Sequence, residues 1–274
     1  MSKLHERSSV NDGIVEITLN NWPEFFEFCD HYFANDMGLY FRGQRDSSWG
    51  LNTTLDRYVK TLDQRATGTY NWLLKSFSKA IMGKTNTTKD ISTHEDEIWA
   101  LGQHNGLATP FLDWTSAAYV ALFFAFEDEA PSTTGYRTVF GIHKFINCKM
   151  DEFNKDKDRE SEFKFVDIIT DHNPRLISQS GVFTKQPINF DFEKWVQRYW
   201  NGVSDKPVMF KIHIPDSERP RILKSLRLMN VNHATIYPDL HGAAKATMAE
   251  LQLISHKAGM MSTTQLFKHA TYEL

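Results

Sequence analysis

Arg42 stands between Phe41 and Gly43 in a stretch that otherwise leans apolar. A guanidinium in such a stretch needs an acidic partner or an anionic ligand, because an unpaired buried charge is costly. Its planar fork of donors suits phosphate or carboxylate. Gly43 has no Cβ and would let a ligand approach the backbone closely. The competing reading is an internal ion pair of Arg42 with Asp113, since structural pairs are common.

Asp113 and Trp114 stand just before a run of apolar residues. Asp113 is suited to accept a ribose hydroxyl or act as a base, and Trp114 to stack on a flat ring. The alternative is a capping carboxylate beside a core indole. Thr115 reads as a helix cap, because no activating base lies at a useful spacing. Gln103 and His104 fall in the last turn of an expected helix. His104 is either a general acid or base or a partner of the helix C-terminus. Gln179 is fitted to bond a nicotinamide-like amide or an RNA base, or else to satisfy a buried loop backbone. Asp239, after Pro238, reads as a helix cap. His143, His213 and His233 lie on or near strands and read as structural. Trp195, Tyr199 and Trp200 have the spacing of a core-facing helix, which is preferred over a stacking surface for bases.

The elements that must position these residues follow from periodicity. Residues 14–19 alternate as a strand. Asn20 or Asn21 then caps a helix with Pro23 in its first turn and Phe25, Phe26, Cys29, Tyr32 and Phe33 on its apolar face. Residues 38–43 form a short strand carrying Arg42. Residues 70–82 form an amphipathic helix, and 84–90 an exposed loop. Ser92 and Glu95 form a capping box for the next helix, which Asn105-Gly106 stops. A tight segment, 107–114, leads to Thr115 or Ser116 as cap of a helix over 117–126. That helix is apolar all round and should run through the middle of the fold. Glu127, Asp128 and Glu129 mark its exit to solvent. Strands are expected at 138–145, 208–214 and 234–237, helices at 216–228 and 239–251, and a charged surface excursion at 151–162. Strands and helices alternate irregularly over both halves of the chain. That favours a single α+β domain with a mixed or antiparallel sheet, a buried central helix and flanking helices.

Composition narrows the function classes. The 274 residues are 41% hydrophobic and 24% charged, which is ordinary for a globular protein. A net charge of −3 without a basic tail weakens the case for a sequence-independent nucleic-acid binder, though a local basic groove is compatible with it. Two cysteines, Cys29 and Cys148, suit a reduced compartment, and the histidines form no spaced metal-ligand motif. No metal is expected. The polar N-terminus and the shortness of the longest apolar run, 117–126, argue for a cytoplasmic protein without a membrane span.

Four segments, in this order, resemble the FRG domain family, named for its Phe-Arg-Gly tripeptide. They are Tyr40-Phe41-Arg42-Gly43-Gln44 with Trp49 and Leu51; Gln103-His104-Asn105-Gly106 through Thr109 into Asp113-Trp114-Thr115 and the apolar run; Asn173-Pro174-Arg175-Leu176 with Gln179, Gly181 and Phe183; and Ile236-Tyr237-Pro238-Asp239-Leu240 with Gly242 and Ala243. The tripeptide alone is weakly specific. The Gln-His-x-Gly-x-x-Thr-x-x-x-Asp-Trp-Thr string is much more so. Pro110 and His241 depart from the family's usual basic residue and Asp. The resemblance implies one FRG domain over 1–274, with core motifs over about 36–251, and the setting of accessory or effector proteins of bacteria and phages, in defence or stress.

A more distant likeness is to ADP-ribosyltransferases, several of which use an early-strand arginine for NAD phosphates or ribose, a strand before a helix, and a late catalytic Glu. Arg42 resembles the first element and Asp113-Trp114-Thr115-Ser116 the second. No residue matches the third; Gln179 is the nearest, and it carries no negative charge. The likeness implies an enzyme that binds NAD or a related nucleotide. His104, Asp113 and Gln179 would be its catalytic candidates, with Arg42, Gly43, Gln103, Trp114 and Thr115 around the cofactor. The alternative is a non-catalytic nucleotide-, nucleic-acid- or protein-binding module.

Overall fold

The structure, a computed structural model, describes residues 8–61, 68–84, 95–155, 157–158, 161–166, 174–202 and 207–260. Among the described residues, eight strands form one mixed sheet. They are β1 (Ser8–Asn11), β2 (Ile14–Thr18), β3 (Leu39–Gln44), β4 (Phe111–Thr115), β5 (Tyr136–His143), β6 (Lys164–Val166), β7 (Gly181–Lys185) and β8 (Met209–Pro215). Their order across the sheet is β1-β2-β8-β5-β3-β4-β7-β6. Of these described strands, β2 and β8 run parallel and the other neighbours are antiparallel. The helices are α1 (Trp22–Phe33), α2 (Thr54–Thr61), α3 (Thr69–Ile81), α4 (Glu95–His104), α5 (Ala118–Phe126), α6 (Asn147–Asn154), α7 (Pro174–Ser178), α8 (Phe192–Trp200), α9 (Arg219–Leu228), α10 (His233–Ile236) and α11 (Leu240–Met260). The architecture is α+β, as the irregular alternation of elements implies.

Strand alternation sorts the core into layers. Val15, Ile17, Phe41, Val139, Phe210, Ile212 and Ile214 meet α1, α5 and α9 on one face. Ile14, Leu112, Trp114, Phe140, Ile142 and Met209 meet α6 and α8 on the other. A third cluster gathers Phe111, Val166 and Phe183 under α2, α3 and α4. Register sets Thr115 opposite Phe41 and Phe183 opposite Asp113, so this third cluster shares the face of the first. Two groups of helices therefore lie side by side on one face, and the seam between them falls over β3 and β4.

The apolar run forms α5, whose Ala121, Leu122, Phe123, Ala125 and Phe126 are buried. Each fully buried Leu or Phe contributes about 1.5–3 kcal/mol. α1 starts where expected, with the Asn21 side chain accepting from the Glu24 amide and Pro23 in the first turn. It buries Phe25, Phe28 and Cys29, whereas Phe26 is 51% exposed. The i, i+3, i+4 set defines the face, and Phe26 lies about 100° away from Phe25.

Three expectations are corrected. Residues 111–115 are a full strand in the sheet. Neither Thr115 nor Ser116 caps α5; the capping position is Ala117, whose amide donates to the Thr115 hydroxyl oxygen at 3.1 Å. Residues 233–236 are a short helix instead of a strand, because Asn232 and Thr235 form a reciprocal capping box. Ser92 of the expected capping box, residues 85–90 of the expected loop and Asn173 lie outside the described residues. Among the described residues no helix is long and apolar enough to cross a membrane.

Candidate functional site

The floor of the seam is built by β3 and β4, which share a single bridge, Phe41 with Thr115. Beside it, Arg42 Nη1 donates to the Asp113 carbonyl at 2.8 Å, so a side chain supplies a donor to the neighbouring strand. The Asp113 carboxylate lies 3.7 Å from the same nitrogen. The expected internal pair therefore exists, mostly through the backbone. Arg42 Nε is buried and has no hydrogen-bond partner. Burial pulls the pKa of Arg42 down, against the opposing pull of Asp113. A charged fork with an unused buried donor is short of an acceptor.

Gly43 is required by packing. A Cβ there would lie 1.9 Å from the Ala121 carbonyl oxygen and 2.5 Å from the Ala125 amide nitrogen. The close neighbour that the glycine admits is α5 itself, rather than the ligand expected from the sequence.

One wall comes from the end of α4. Gly106, at φ 84°, closes that helix in the left-handed region. Gln103 Nε2 donates to Asp113 Oδ2 at 2.9 Å, and the Thr109 hydroxyl donates to Gln103 Oε1. Gln103 thus holds a carboxylate whose side chain is still 59% exposed. His104 is exposed beside it.

The facing wall comes from the end of α5 and from α7, α10 and the start of α11. Glu127 is the C-cap of α5, not an exit to solvent; only Asp128 and Glu129 are exposed. The Tyr237 hydroxyl lies 2.9 Å from each Glu127 carboxylate oxygen. His233 and Lys245 each place a nitrogen 3.9 Å from that carboxylate. Burial pushes the Glu127 pKa up, against the hydrogen bond from Tyr237 and the charge of Lys245. The negative end of the α5 dipole acts in the same direction as burial. Arg175 lies over the Tyr237 ring at 5.5 Å and bonds Asp239. Asp239 also caps α11, as expected, by accepting from the Gly242 amide at 2.8 Å. Gly242 has no room for a Cβ, which would lie 1.8 Å from the Tyr237 carbonyl.

Arg42, Gly43, Gln103, His104, Asp113, Trp114, Thr115 and Gln179 all line this one cleft, of about 390 Å³. Two of them take the structural one of the two roles weighed for them. Trp114 is only 3% exposed; its indole packs into the apolar cluster on the opposite face and donates to the Thr184 hydroxyl at 2.9 Å. It is a core indole and offers no ring to a ligand. Gln179 Nε2 donates to the Ile236 carbonyl at 3.3 Å, the loop-satisfying role. Glu127, Phe124, Arg175 and Tyr237 also line the cleft and were given no site role from sequence. Arg175 and Tyr237 lie within the motif segments, which was a usable signal. Glu127 was hidden in an acidic triplet.

A second constellation imitates a nucleophilic triad. His213 Nδ1 lies 2.8 Å from the Thr138 hydroxyl and Nε2 lies 2.8 Å from Glu16. Thr138 is fully buried, so no substrate reaches its hydroxyl, and the chain of bonds ties β2, β5 and β8 together. Among the described residues no group of three or more His, Cys, Asp or Glu is placed to hold a metal ion.

Residues 37–134 match the family model of the FRG domain. The match includes the floor, the α4 wall and Glu127, and it ends before Arg175, Gln179 and Tyr237. No curated protein and no solved structure matches the chain.

Proposed function

We propose that the cleft binds NAD or a related nucleotide and that the chain is an ADP-ribosyltransferase-like enzyme. The observation that carries this reading is the convergence of Arg42, with its unused buried donor, and the Glu127 and Asp113 carboxylates on one cleft. Its volume falls within the roughly 300–1,000 Å³ of small-molecule sites.

Arg42 takes the phosphate or ribose of the ligand. Phe124 and Tyr237, in place of Trp114, supply the apolar walls for the flat ring. The bond from C1′ of the ribose to the nicotinamide nitrogen breaks. Its electron pair goes to the ring nitrogen, and neutral nicotinamide leaves. Positive charge developing on the ribose is stabilised by the Glu127 and Asp113 carboxylates, fixed in place by Tyr237 and Gln103. The acceptor nucleophile bonds to C1′ and gives its proton to His104 or to one of these carboxylates. Glu127 thereby fills the acidic role for which the sequence offered only Gln179. The setting carried by the family resemblance is bacterial or phage defence or stress.

A second reading, a non-catalytic nucleotide-binding module, has its own support. Thr109, Gln103, Asp113 and Arg42 are linked in a line of hydrogen bonds that gives these motif residues a role without chemistry. Nicotinamide release from NAD, followed beside NAD binding, separates the two. The enzyme reading expects release that drops about 10²–10³-fold in Glu127→Gln and in Arg42→Ala, with circular dichroism unchanged. Binding without release selects the module. Neither binding nor release removes the nucleotide reading.

A further inference from the structure

We infer that Arg175 is a second anion-binding residue of the cleft, and that Arg42 and Arg175 together select a diphosphate over a single phosphate. This rests on the nucleotide reading above and deepens it.

The two arginines reach the same cleft from separate elements, β3 and α7. Arg42 has an unused donor at Nε. Arg175 is not saturated by its carboxylate. Its Nε donates to Asp239 Oδ2 at 2.7 Å, and Nη2 bonds that same oxygen. Asp239 Oδ1 is taken by the Gly242 amide, so the two-oxygen, two-nitrogen fork of an arginine–carboxylate pair does not form. The described residues give Arg175 Nη1 no hydrogen-bond partner. The Tyr237 ring supports the guanidinium from one side, fixing its plane at the cleft wall. A planar cation with free donors, a third exposed and held by a ring, suits a phosphate oxygen pair. Asp239 then competes with the ligand for Arg175 and sets the affinity.

Calorimetric titration of the full chain with inorganic pyrophosphate and with orthophosphate tests this directly. Wild type should bind pyrophosphate at least about tenfold more tightly, and Arg175→Gln should bring that ratio close to one. Arg175→Lys, which keeps the charge but loses the fork, should fall between. Asp239→Asn keeps an oxygen for the Gly242 amide and frees Arg175, so pyrophosphate should bind several-fold more tightly. A merely structural salt bridge predicts the opposite for Asp239→Asn. An unchanged ratio in Arg175→Gln, weaker pyrophosphate binding in Asp239→Asn, or no anion binding by wild type overturns the inference. NAD and nicotinamide mononucleotide are titrated alongside. If both bind equally while Arg175→Gln changes neither, the diphosphate inference falls and the nucleotide reading stands. If pyrophosphate behaves as expected and neither nucleotide binds, the anion pair stands and the nucleotide reading falls.

Discussion

The Tyr237 hydroxyl is shared between the two carboxylate oxygens of Glu127, 2.9 Å from each, and joins the end of α5 to the residue after α10. Residues 110 positions apart in sequence thereby close one wall of the cleft. The bond keeps a partly buried carboxylate oriented where burial and a helix C-terminus both disfavour its charge.

That environment has a measurable pH signature. The Glu127 pKa is raised above its ordinary 4.5, by burial first. Between 4.5 and the raised value the native state holds more protons than the unfolded chain. Stability from this group is therefore fully present below that window and is lost as pH rises through it. Glu127→Gln removes the titration. The stability of wild type relative to Glu127→Gln should fall as pH rises from 4.5, followed by urea unfolding of both proteins in steps from pH 4 to 8. A difference that is flat over this range would show that the carboxylate is as well solvated as a surface group.

Gly43→Ala should be among the most damaging single changes in the chain. The added methyl meets the α5 backbone, 1.9 Å from one carbonyl oxygen, and no rotamer relieves it. Overpacking costs about 1–3 kcal/mol where side chains can yield, and more is expected here. Gly141→Ala is the comparison, since its Cβ would meet side chains alone, the Phe41 ring at 3.3 Å and the Phe210 Cβ at 3.5 Å. Denaturation midpoints should rank Gly43→Ala well below Gly141→Ala. Equal midpoints would mean that α5 can lift off β3 at little cost.

Much of the scaffold was legible because its signals are local. The all-round apolar α5, the Asn21 cap with Pro23, the Asn105-Gly106 stop and the alternation in β8 each depend on a few adjacent residues. What was not legible depends on partners distant in sequence. Phe111–Thr115 is short and largely apolar, buried between β3 and β7, so it lacks the alternation of a half-exposed strand. Thr235-Ile236-Tyr237 has strand-like side chains, but the capping box from Asn232 wins. The eight site residues converge as their motif order suggests. Trp114 shows the limit: β4 alternation turns its ring to the face opposite Asp113, which only the strand assignment reveals. Glu127 shows another, since Asp128 and Glu129 beside it are exposed and gave the triplet its solvent signature.

Trp114→Phe separates core from cleft. The indole N–H donates to the Thr184 hydroxyl, and both groups are buried. Removing the donor leaves that hydroxyl short of a partner, at about 1–3 kcal/mol. Thermal unfolding should show this loss, while the affinity for any ligand of the cleft stays within about twofold. Adding Thr184→Val should recover part of the stability, because it removes the orphaned hydroxyl. A large loss of ligand affinity in a stable Trp114→Phe protein would return the ring to the ligand's surroundings.

The exit of β3 makes the last case. Asp46 is buried and accepts from the Ser48 amide at 3.0 Å, the Ser48 hydroxyl at 2.6 Å and the Thr133 amide and hydroxyl at 2.5 and 2.7 Å. These bonds pin the segment that leads into β5 beside the end of α5, where Arg45 pairs with Asp128. Burial alone would raise the Asp46 pKa; the four bonds outweigh it and hold the carboxyl well below its ordinary 3.8. The unfolded chain therefore binds this proton first on acidification. The stabilisation is present above 3.8 and is lost as pH falls through the depressed value. Asp46→Asn should cost on the order of 1 kcal/mol at neutral pH. The cost should shrink steadily in unfolding curves taken from pH 4 downward. If it does not shrink, the loss arises from the amide's mismatched donors rather than from the missing charge, and Asp46→Ser, which carries no amide, should then recover stability at neutral pH.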